Sequence, residues 1–377
     1  MPSNPFKFGK IVYDKHFYNR KKELQKIKAT LSSGNNIALY APRRYGKSSL
    51  IAKALNELEK EGYVCIHFDF MSVYSQKTFI ENYSRKILNS QNKSDVKNII
   101  SKFTTFVKNI KPSVSFDQSG NPEFSLSFME NTDKEKSLLE VINLPEALAD
   151  GQSNYIIAFD EFQEISKLNG ENFEKMLRSQ IQRHKNVSYV FFGSKTHMLK
   201  DMFNNKNRAF YNSADIMHLE KMATEESIEF LQNAFKSSNI HLSDEIAHYI
   251  IQQVDNIPYY IQFLAHQIWE HAMINSISRV DQTIVDSSLQ DILELKKDYY
   301  WELTNNQSMH RKKLLFALSQ DAKELYSEKT SRKYELGAAS STQKSLEVLL
   351  NEGIIEKNKN YFEFADPMYK KFIKNNL

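Results

Sequence analysis

The stretch Tyr40-Ala-Pro-Arg-Arg-Tyr-Gly-Lys-Ser-Ser49 decides the fold of this chain. An apolar run, Ile37–Tyr40, leads into it and has the composition of a buried strand. Apolar residues at helical spacing follow it, from Leu50 to Leu58. A strand, a tight loop that ends in Gly-Lys-Ser, and a helix together are typical of a phosphate-binding loop.

In such a loop, backbone N–H groups and the positive end of the following helix surround phosphate oxygens. The residues predicted to form this cradle are Pro42, Arg43, Arg44, Tyr45, Gly46, Lys47, Ser48 and Ser49. Lys47 is predicted to reach the β- and γ-phosphates, and the Ser48 hydroxyl to ligate Mg²⁺. Ala41 stands where the usual pattern has its first glycine, so the backbone there must be one that a Cβ allows. The alternative interpretation is a chance basic turn.

A second motif follows about a hundred residues later, where the apolar run Tyr155–Phe159 ends in Asp160 and Glu161. A strand with this pattern delivers its carboxylates to the carboxyl edge of a parallel sheet, where ligands bind. Asp160 is predicted to hold Mg²⁺ through water, and Glu161 to orient or deprotonate the attacking water. Two solvated acids that cap a strand are the alternative. The upstream Gly-Lys-Ser favours a nucleoside-triphosphate site.

Five apolar strand patterns separated by helical ones predict a parallel sheet with right-handed crossovers. Alternation over residues 112–129 predicts a β-hairpin inserted into this α/β core. Ser194 follows the strand pattern Val187–Phe192, and it is predicted either to sense the γ-phosphate or only to form a turn.

The composition is that of a globular protein of 377 residues, with 41% hydrophobic and 25% charged residues. A net charge of +4 permits nucleic-acid binding without arguing for it. The single cysteine, Cys65, excludes an internal disulfide and fits a reducing compartment. No apolar run is long enough to span a bilayer, so we expect a soluble, cytoplasmic protein.

The C-terminal half changes to continuous helical periodicity from Thr224, which predicts a helical bundle. From about Gln307, three helices and a terminal hairpin predict a winged helix. Its third helix would present Ser341, Thr342, Gln343 and Lys344, either to a DNA groove or to a protein. Arg311, Lys312 and Lys313 would contact phosphate or simply solvate a helix face. The predicted domains are therefore 1–222, 223–304 and 305–377.

Several phrases in combination resemble the prokaryotic AAA+/STAND-type ATPases, and more narrowly an archaeal-type ATPase domain family with a C-terminal winged helix. They are His16-Phe-Tyr-Asn-Arg20, the loop sequence, Phe159-Asp-Glu-Phe-Gln163, Phe192-Gly-Ser-Lys195, Ile257-Pro-Tyr-Tyr260 and Asp366-Pro-Met-Tyr369. The resemblance covers nearly the whole chain. It implies an ATP-binding core, a helical lid and a winged helix, acting together as a nucleotide-controlled switch.

The resemblance also implies roles for individual residues. Phe17, Tyr18 and Arg20 would lie beside adenine, although residue type alone favours aromatics that merely staple the first helix. Pro258 would belong to the lid loop that packs on the nucleotide, and Ser194 would sense the γ-phosphate. Candidates for an arginine finger are Arg178, Arg183 and Arg208. Two family glycines are replaced, by Ala41 and by Asn256, which leaves the details of lid closure open.

The motifs together with the resemblance imply a slow, Mg²⁺-dependent ATPase switch that self-associates in its ATP state, because an arginine finger would act from a neighbouring copy. A non-catalytic, nucleotide-gated adaptor that binds DNA or protein is the alternative. A phosphate-loop kinase is disfavoured, since no acceptor pocket is evident.

Overall fold

The computed structural model describes residues 3–12, 17–91, 96–118, 122–129, 133–149, 154–168, 170–358 and 361–377. Contacts divide the chain into two compact units. The sheet unit comprises Arg20–Ala41 and Lys47–Leu219, and the helical unit comprises Met1–Asn19, Pro42–Gly46 and Glu220–Leu377. Five loop residues therefore group with the C-terminal half of the chain. The predicted boundaries at 222/223 and 304/305 stay predictions.

The elements of the sheet unit follow in chain order. They are α1 (Lys21–Ser32), β1 (Ile37–Tyr40), α2 (Lys47–Lys60), β2 (Val64–Asp69), α3 (Gln76–Asn89), α4 (Val96–Phe106), β3 (Ile110–Phe116), β4 (Pro122–Phe128), α5 (Lys134–Ala149), β5 (Tyr155–Asp160), α6 (Gly170–Ile181), β6 (Val187–Gly193), α7 (Thr196–Asn204) and β7 (Asp215–His218). Short 3₁₀ helices span Phe70–Ser72 and Phe162–Lys167.

Five of these strands form a sheet in the order β2-β5-β6-β1-β7, and all neighbouring pairs are parallel. The predicted α/β fold is thereby confirmed. Every residue of β1 and β6 is buried, as expected of parallel strands covered on both faces. The register pairs Tyr40 with Gly193 and Asp69 with Asp160, so these strands all end at one edge. The segments that follow β1, β5 and β6, which carry Ala41, Glu161 and Ser194, therefore begin at that edge.

Strands β3 and β4 form an antiparallel hairpin, as the alternating pattern predicts. The hydroxyl oxygens of Ser113 and Ser125, which face each other across the hairpin, lie 2.7 Å apart. Residues 119–121, which fall within the turn that the sequence predicts, lie outside the described residues.

Helix α5 has no counterpart in the sequence prediction. It contains Pro145, a residue that removes one helical hydrogen bond and is usually taken as a helix end. The helix buries an apolar face on α3 and α6. Packing of this face outweighs the local cost of the proline, because helical stability in proteins comes mostly from tertiary burial.

The elements of the helical unit are α8 (Thr224–Lys236), α9 (Asp244–Gln253), α10 (Pro258–Ile274), α11 (Gln282–Leu295), α12 (Lys297–Asn305), α13 (Met309–Ser319), α14 (Glu328–Tyr334), α15 (Ala339–Asn351), β8 (Ile355–Asn358), β9 (Tyr361–Phe364) and α16 (Pro367–Asn376). Pro258 begins α10, a position where its missing N–H has no cost. Helices α13–α15 and the β8–β9 hairpin form the predicted winged helix. Among the described residues, no helix has the length and apolar character needed to cross a membrane.

The sequence prediction ends the chain in a hairpin, whereas the structure adds α16 after it. Asp366 caps this helix, since its Oδ1 accepts the backbone N–H groups of Met368 (2.9 Å) and Tyr369 (3.2 Å). Pro367 occupies the first turn, where its missing N–H has no cost. These two residues are a helix-start signal that the sequence does carry.

Candidate functional site

The loop between β1 and α2 contains two residues with left-handed backbone, Arg44 (φ 72°) and Gly46 (φ 84°). Gly46 adopts this conformation without steric cost, whereas a left-handed arginine costs about 1 kcal/mol or more. Ala41 is fully buried and is not among the described residues with positive φ. The sequence prediction of a Cβ-compatible backbone at this position is confirmed.

Lys47 is the first residue of α2 and is buried. Its Nζ donates a hydrogen bond of 2.6 Å to the carbonyl oxygen of Ala41, across the base of the loop. An ammonium group carries a positive charge and three hydrogen-bond donors, the features by which a lysine binds phosphate oxygens. Ser48 and Ser49 follow in the first turn of α2 and are half-buried.

Carboxylates meet at the edge of the sheet where β2 and β5 end. Asp160 accepts the backbone N–H of Glu161 at 2.8 Å through Oδ1, and its Oδ2 lies 3.4 Å from His67 Nε2. Burial, with the charges of Asp160 and Glu161 adding to it, raises the pKa of the neighbouring Asp69 carboxyl, against a backbone N–H bond from Met71. Among the described residues, no group of three or more His, Cys, Asp and Glu side chains is arranged as a closed metal site.

Glu161 takes a left-handed backbone (φ 46°, ψ 44°) immediately after β5. Its Oε2 accepts hydrogen bonds from the Ser194 backbone N–H (3.1 Å), the Ser194 hydroxyl (2.9 Å) and the Gln163 amide (2.5 Å). The structure thus brings together Glu161 and Ser194, which the sequence places 33 residues apart. Gln163 was not predicted as a site residue.

Gly193, the last residue of β6, leaves room for Gln163. A Cβ at this position would lie 2.1 Å from Gln163 Oε1. Its φ is not positive, so close approach rather than backbone freedom requires the glycine.

Arg44 makes its contacts inside the helical unit. Its Nη1 lies 3.0 Å from Asp366 Oδ2, and its guanidinium carbon lies 5.1 Å and 4.9 Å from the ring centroids of Tyr259 and Tyr260. The Tyr259 backbone N–H donates to the Arg44 carbonyl at 3.3 Å. Asp366 Oδ2 also accepts the Tyr300 hydroxyl at 3.2 Å. These contacts offset the cost of the left-handed arginine.

The predicted adenine-side residues lie in different surroundings. The Tyr18 ring stacks on Phe230 of α8, with centroids 3.6 Å apart and planes inclined by 7°, while Phe17 is half-buried. Arg20, in the sheet unit, is buried and pairs with Glu23 at 2.9 Å. His16 lies outside the described residues.

Asn256, which replaces a family glycine two residues before Pro258, is left-handed (φ 53°). Asparagine tolerates this conformation better than most residues. Its amide donates to the Met222 carbonyl at 2.7 Å and accepts the Ser227 hydroxyl at 2.9 Å. These bonds fix the turn before α10 by side-chain contacts that a glycine cannot make.

The three candidate arginine fingers differ in how strongly the fold holds them. Arg208 bonds Glu174, which is 2% exposed, at 2.6 Å and Asp201 at 2.7 Å. Arg178, near the end of α6, donates to Gln182 at 3.1 Å, and burial lowers its pKa. Arg183 is exposed in the turn before β6, at the sheet edge opposite Asp160.

Two of the three basic residues Arg311, Lys312 and Lys313 at the start of α13 pair with acids. Arg311 lies 3.8 Å from Glu352, and Lys313 pairs with Glu335. Lys312 bonds Asn305 at 3.5 Å. On α15, Ser341, Gln343, Lys344 and Glu347 are exposed, whereas Thr342 is buried. The exposed face of this helix thus carries one base and one acid among these four residues.

Residues 17–264 match the family described as an ATPase domain predominantly from Archaea. The chain belongs to this family. Residues 298–375 of this archaeal-type ATPase match a second family, described as a probable winged helix domain. Both matches confirm the resemblance seen in the motifs, and the first of them supports an ATP-binding ATPase. None of the curated proteins matches the chain.

Solved structures of two archaeal proteins resemble the ATPase over almost its full length. A Walker-type ATPase of Pyrococcus abyssi is 19% identical, with a TM-score of 0.68, and the match covers 98% of this chain and 99% of that one. The ORC2 protein of Aeropyrum pernix, in its ADPNP–ADP complexes, is 14% identical, with a TM-score of 0.55 and 98% of each chain covered. At these identities the likeness shows a shared fold.

Proposed function

We propose that this ATPase hydrolyses ATP slowly with Mg²⁺, and that its nucleotide state is passed to the winged helix. The residues of the sheet unit fit both ligands. The Lys47 ammonium, at the start of α2, would bond phosphate oxygens, the Ser48 hydroxyl would ligate Mg²⁺, and Asp160 would hold the ion through water, since Mg²⁺ prefers oxygen ligands. Bound Mg²⁺ would neutralise charge on the phosphates during transfer.

Glu161 is the proposed base in this mechanism. Its three hydrogen bonds all go to Oε2, so Oε1 is the oxygen left to receive a proton from the attacking water. Ser194 would turn its hydroxyl to the γ-phosphate, and Phe17, Tyr18, Arg20 and Pro258 would line the base side. The stacking of Tyr18 on Phe230 equally supports a purely structural aromatic pair.

The observation that supports the switch is the ion pair between Arg44 and Asp366. Arg44 belongs to the loop that would surround the phosphates, and Asp366 caps α16, the helix that follows the winged-helix hairpin and packs on α13. Any nucleotide-dependent movement of this loop changes a charge-assisted bond to that helix. The loop and α16 therefore respond to each other through one side chain.

Hydrogen–deuterium exchange tests this coupling. In the wild type, Mg²⁺-ATP is expected to change the exchange rate of α16 amides. Arg44→Gln and Asp366→Asn should abolish this response, because each removes one charge of the pair, and asparagine keeps an oxygen for the helix cap. Lys370→Gln is the matched control, since it breaks a 2.7 Å pair with Asp321 that does not involve the loop. If the exchange rate of α16 amides in the wild type does not change when ATP is bound, the switch is excluded.

The proposed finger acts between copies in an ATP-dependent homo-oligomer. We expect Arg208→Ala to lower the free energy of unfolding by about 3 kcal/mol, because it leaves the buried Glu174 carboxylate without its partner. Arg183→Ala should leave stability unchanged and reduce turnover only at protein concentrations that permit assembly. Urea unfolding and concentration-dependent turnover measure the two effects. If Arg183→Ala keeps the wild-type turnover at every protein concentration, Arg183 is not the arginine finger, and Arg178 is the remaining candidate.

The proposed partner of the winged helix is a protein rather than duplex DNA. The pairing of Arg311 and Lys313 with acids removes two cations that phosphate contacts would need. The test is retention of the full chain on immobilised duplex DNA over a range of salt concentrations. Retention that weakens steeply as salt rises would favour DNA as the partner instead of a protein.

A further inference from the structure

Gln163 is a buried amide that the proposed mechanism leaves without a role. It lies in the 3₁₀ helix after β5, three residues beyond Asp160, and its side chain is 1% exposed. Buried amides are normally bonded at both ends. This one donates through Nε2 to Glu161 Oε2, while its Oε1 has no hydrogen-bond partner among the described residues.

The orientation of this amide follows from chemistry. A carboxylate can only accept hydrogen bonds, so the end that faces Glu161 must be the NH₂ group. The oxygen is then directed at Gly193, in a space that a Cβ at that position would fill. Glu161 Oε2 is thus the hydrogen-bond partner that this side-chain amide has among the described residues.

The two side chains that hold Glu161 differ in whether they can leave it. The Ser194 hydroxyl has one proton, so it cannot donate to Glu161 and to a γ-phosphate at once. The Gln163 amide is enclosed, and among the described residues its Nε2 bonds Glu161 Oε2 and no other acceptor. When nucleotide draws the serine away, Gln163 is the side-chain donor that remains on Oε2.

We propose that Gln163 is the positioning residue that keeps Glu161 aimed at the attacking water once Ser194 engages the nucleotide. This inference rests on the proposed hydrolysis by Glu161. It assigns Gln163 no contact with ATP, so its loss should change the rate of hydrolysis and not the affinity for nucleotide. A displacement of about 1 Å in a catalytic group can reduce the rate by about a hundredfold.

The test is steady-state turnover of Gln163→Met, which keeps the length and volume of the side chain but removes the donor. We expect kcat to fall by about tenfold or more, with KM and the Kd for ATP within about twofold of wild type. Gln163→Leu, which also lacks the donor, should lower kcat at least as far. It provides the same test if the methionine variant does not fold.

Gln180→Met is the matched control. Gln180 lies in α6, bonded to Asn143 at 3.1 Å and to Ser179 at 3.0 Å, and it should retain wild-type kcat. A folded Gln163→Met with wild-type kcat, beside an inactive Glu161→Gln, would overturn the positioning role alone. A rise in the ATP Kd that matches the fall in kcat would also overturn it, in favour of a structural role. Equal turnover in wild type and Glu161→Gln would instead overturn the proposed hydrolysis and this inference together.

Discussion

Replacing Glu161 with glutamine is expected to lower ATP turnover by about 10²- to 10⁴-fold, the usual contribution of a general base. Glutamine has the same shape and can still be held at the end of β5, but it cannot take a proton from water. Binding of ATP should remain within a few-fold of wild type, since the group acts on the attacking water. Steady-state phosphate release and equilibrium binding of ATP measure the two quantities separately.

Glu171→Gln provides the control for this substitution, because Glu171 is an exposed acid on α6 whose partner is Lys175. It should leave both quantities unchanged. Turnover by Glu161→Gln at the wild-type rate would exclude Glu161 as the base. It would favour the gated adaptor if the wild type also proved inactive at every protein concentration.

Replacing Lys47 with alanine is expected to weaken ATP binding by roughly a hundredfold or more. Bound ATP would lose charge-assisted hydrogen bonds from the ammonium group worth about 3 kcal/mol, which corresponds to that factor in Kd. The substitution also removes the bond to the Ala41 carbonyl, so the loop loses an internal brace. Equilibrium titration with ATP gives the affinity, and a thermal melt of the same sample verifies that the variant is folded.

Lys53→Ala is the appropriate comparison, since Lys53 lies on the same helix and pairs with Glu57 at 3.5 Å. Its ATP affinity should match the wild type. Unchanged affinity in Lys47→Ala would instead remove the phosphate-loop assignment, and with it the proposed roles of Gly46 and Ser48.

Local pattern was sufficient to predict the sheet and the helix that follows the loop. The strand runs before Ala41 and Asp160 are short, apolar and bounded by turn residues, so their burial could be inferred without tertiary information. Helix α5 could not be predicted from local pattern, because Pro145 lies inside it and argues against a helix. The packing of its apolar face explains why the helix forms. Helix α16 could have been predicted from Asp366 and Pro367, which form a regular helix start.

In the candidate site, too, some residues could be predicted from sequence motifs and others only from tertiary contacts. Gly46, Lys47 and Asp160 stand in motifs whose spacing implies a role. Gln163 does not, because its importance arises from its distance to Glu161 and to Gly193 of another strand. The pairing of Arg44 with Asp366 joins residues 322 positions apart, so no local pattern could show it.

The four donors on Asp366 bear on how fragments of this protein would behave. A chain that ends before Asp366 would leave the Arg44 guanidinium without this counter-ion. An unpaired guanidinium attracts sulfate, phosphate and nucleic-acid backbones irrespective of their identity. An isolated N-terminal fragment would therefore bind polyanions with higher affinity than the intact molecule does. Anion or nucleic-acid affinity measured on such a fragment would reflect the exposed cation and not a native property.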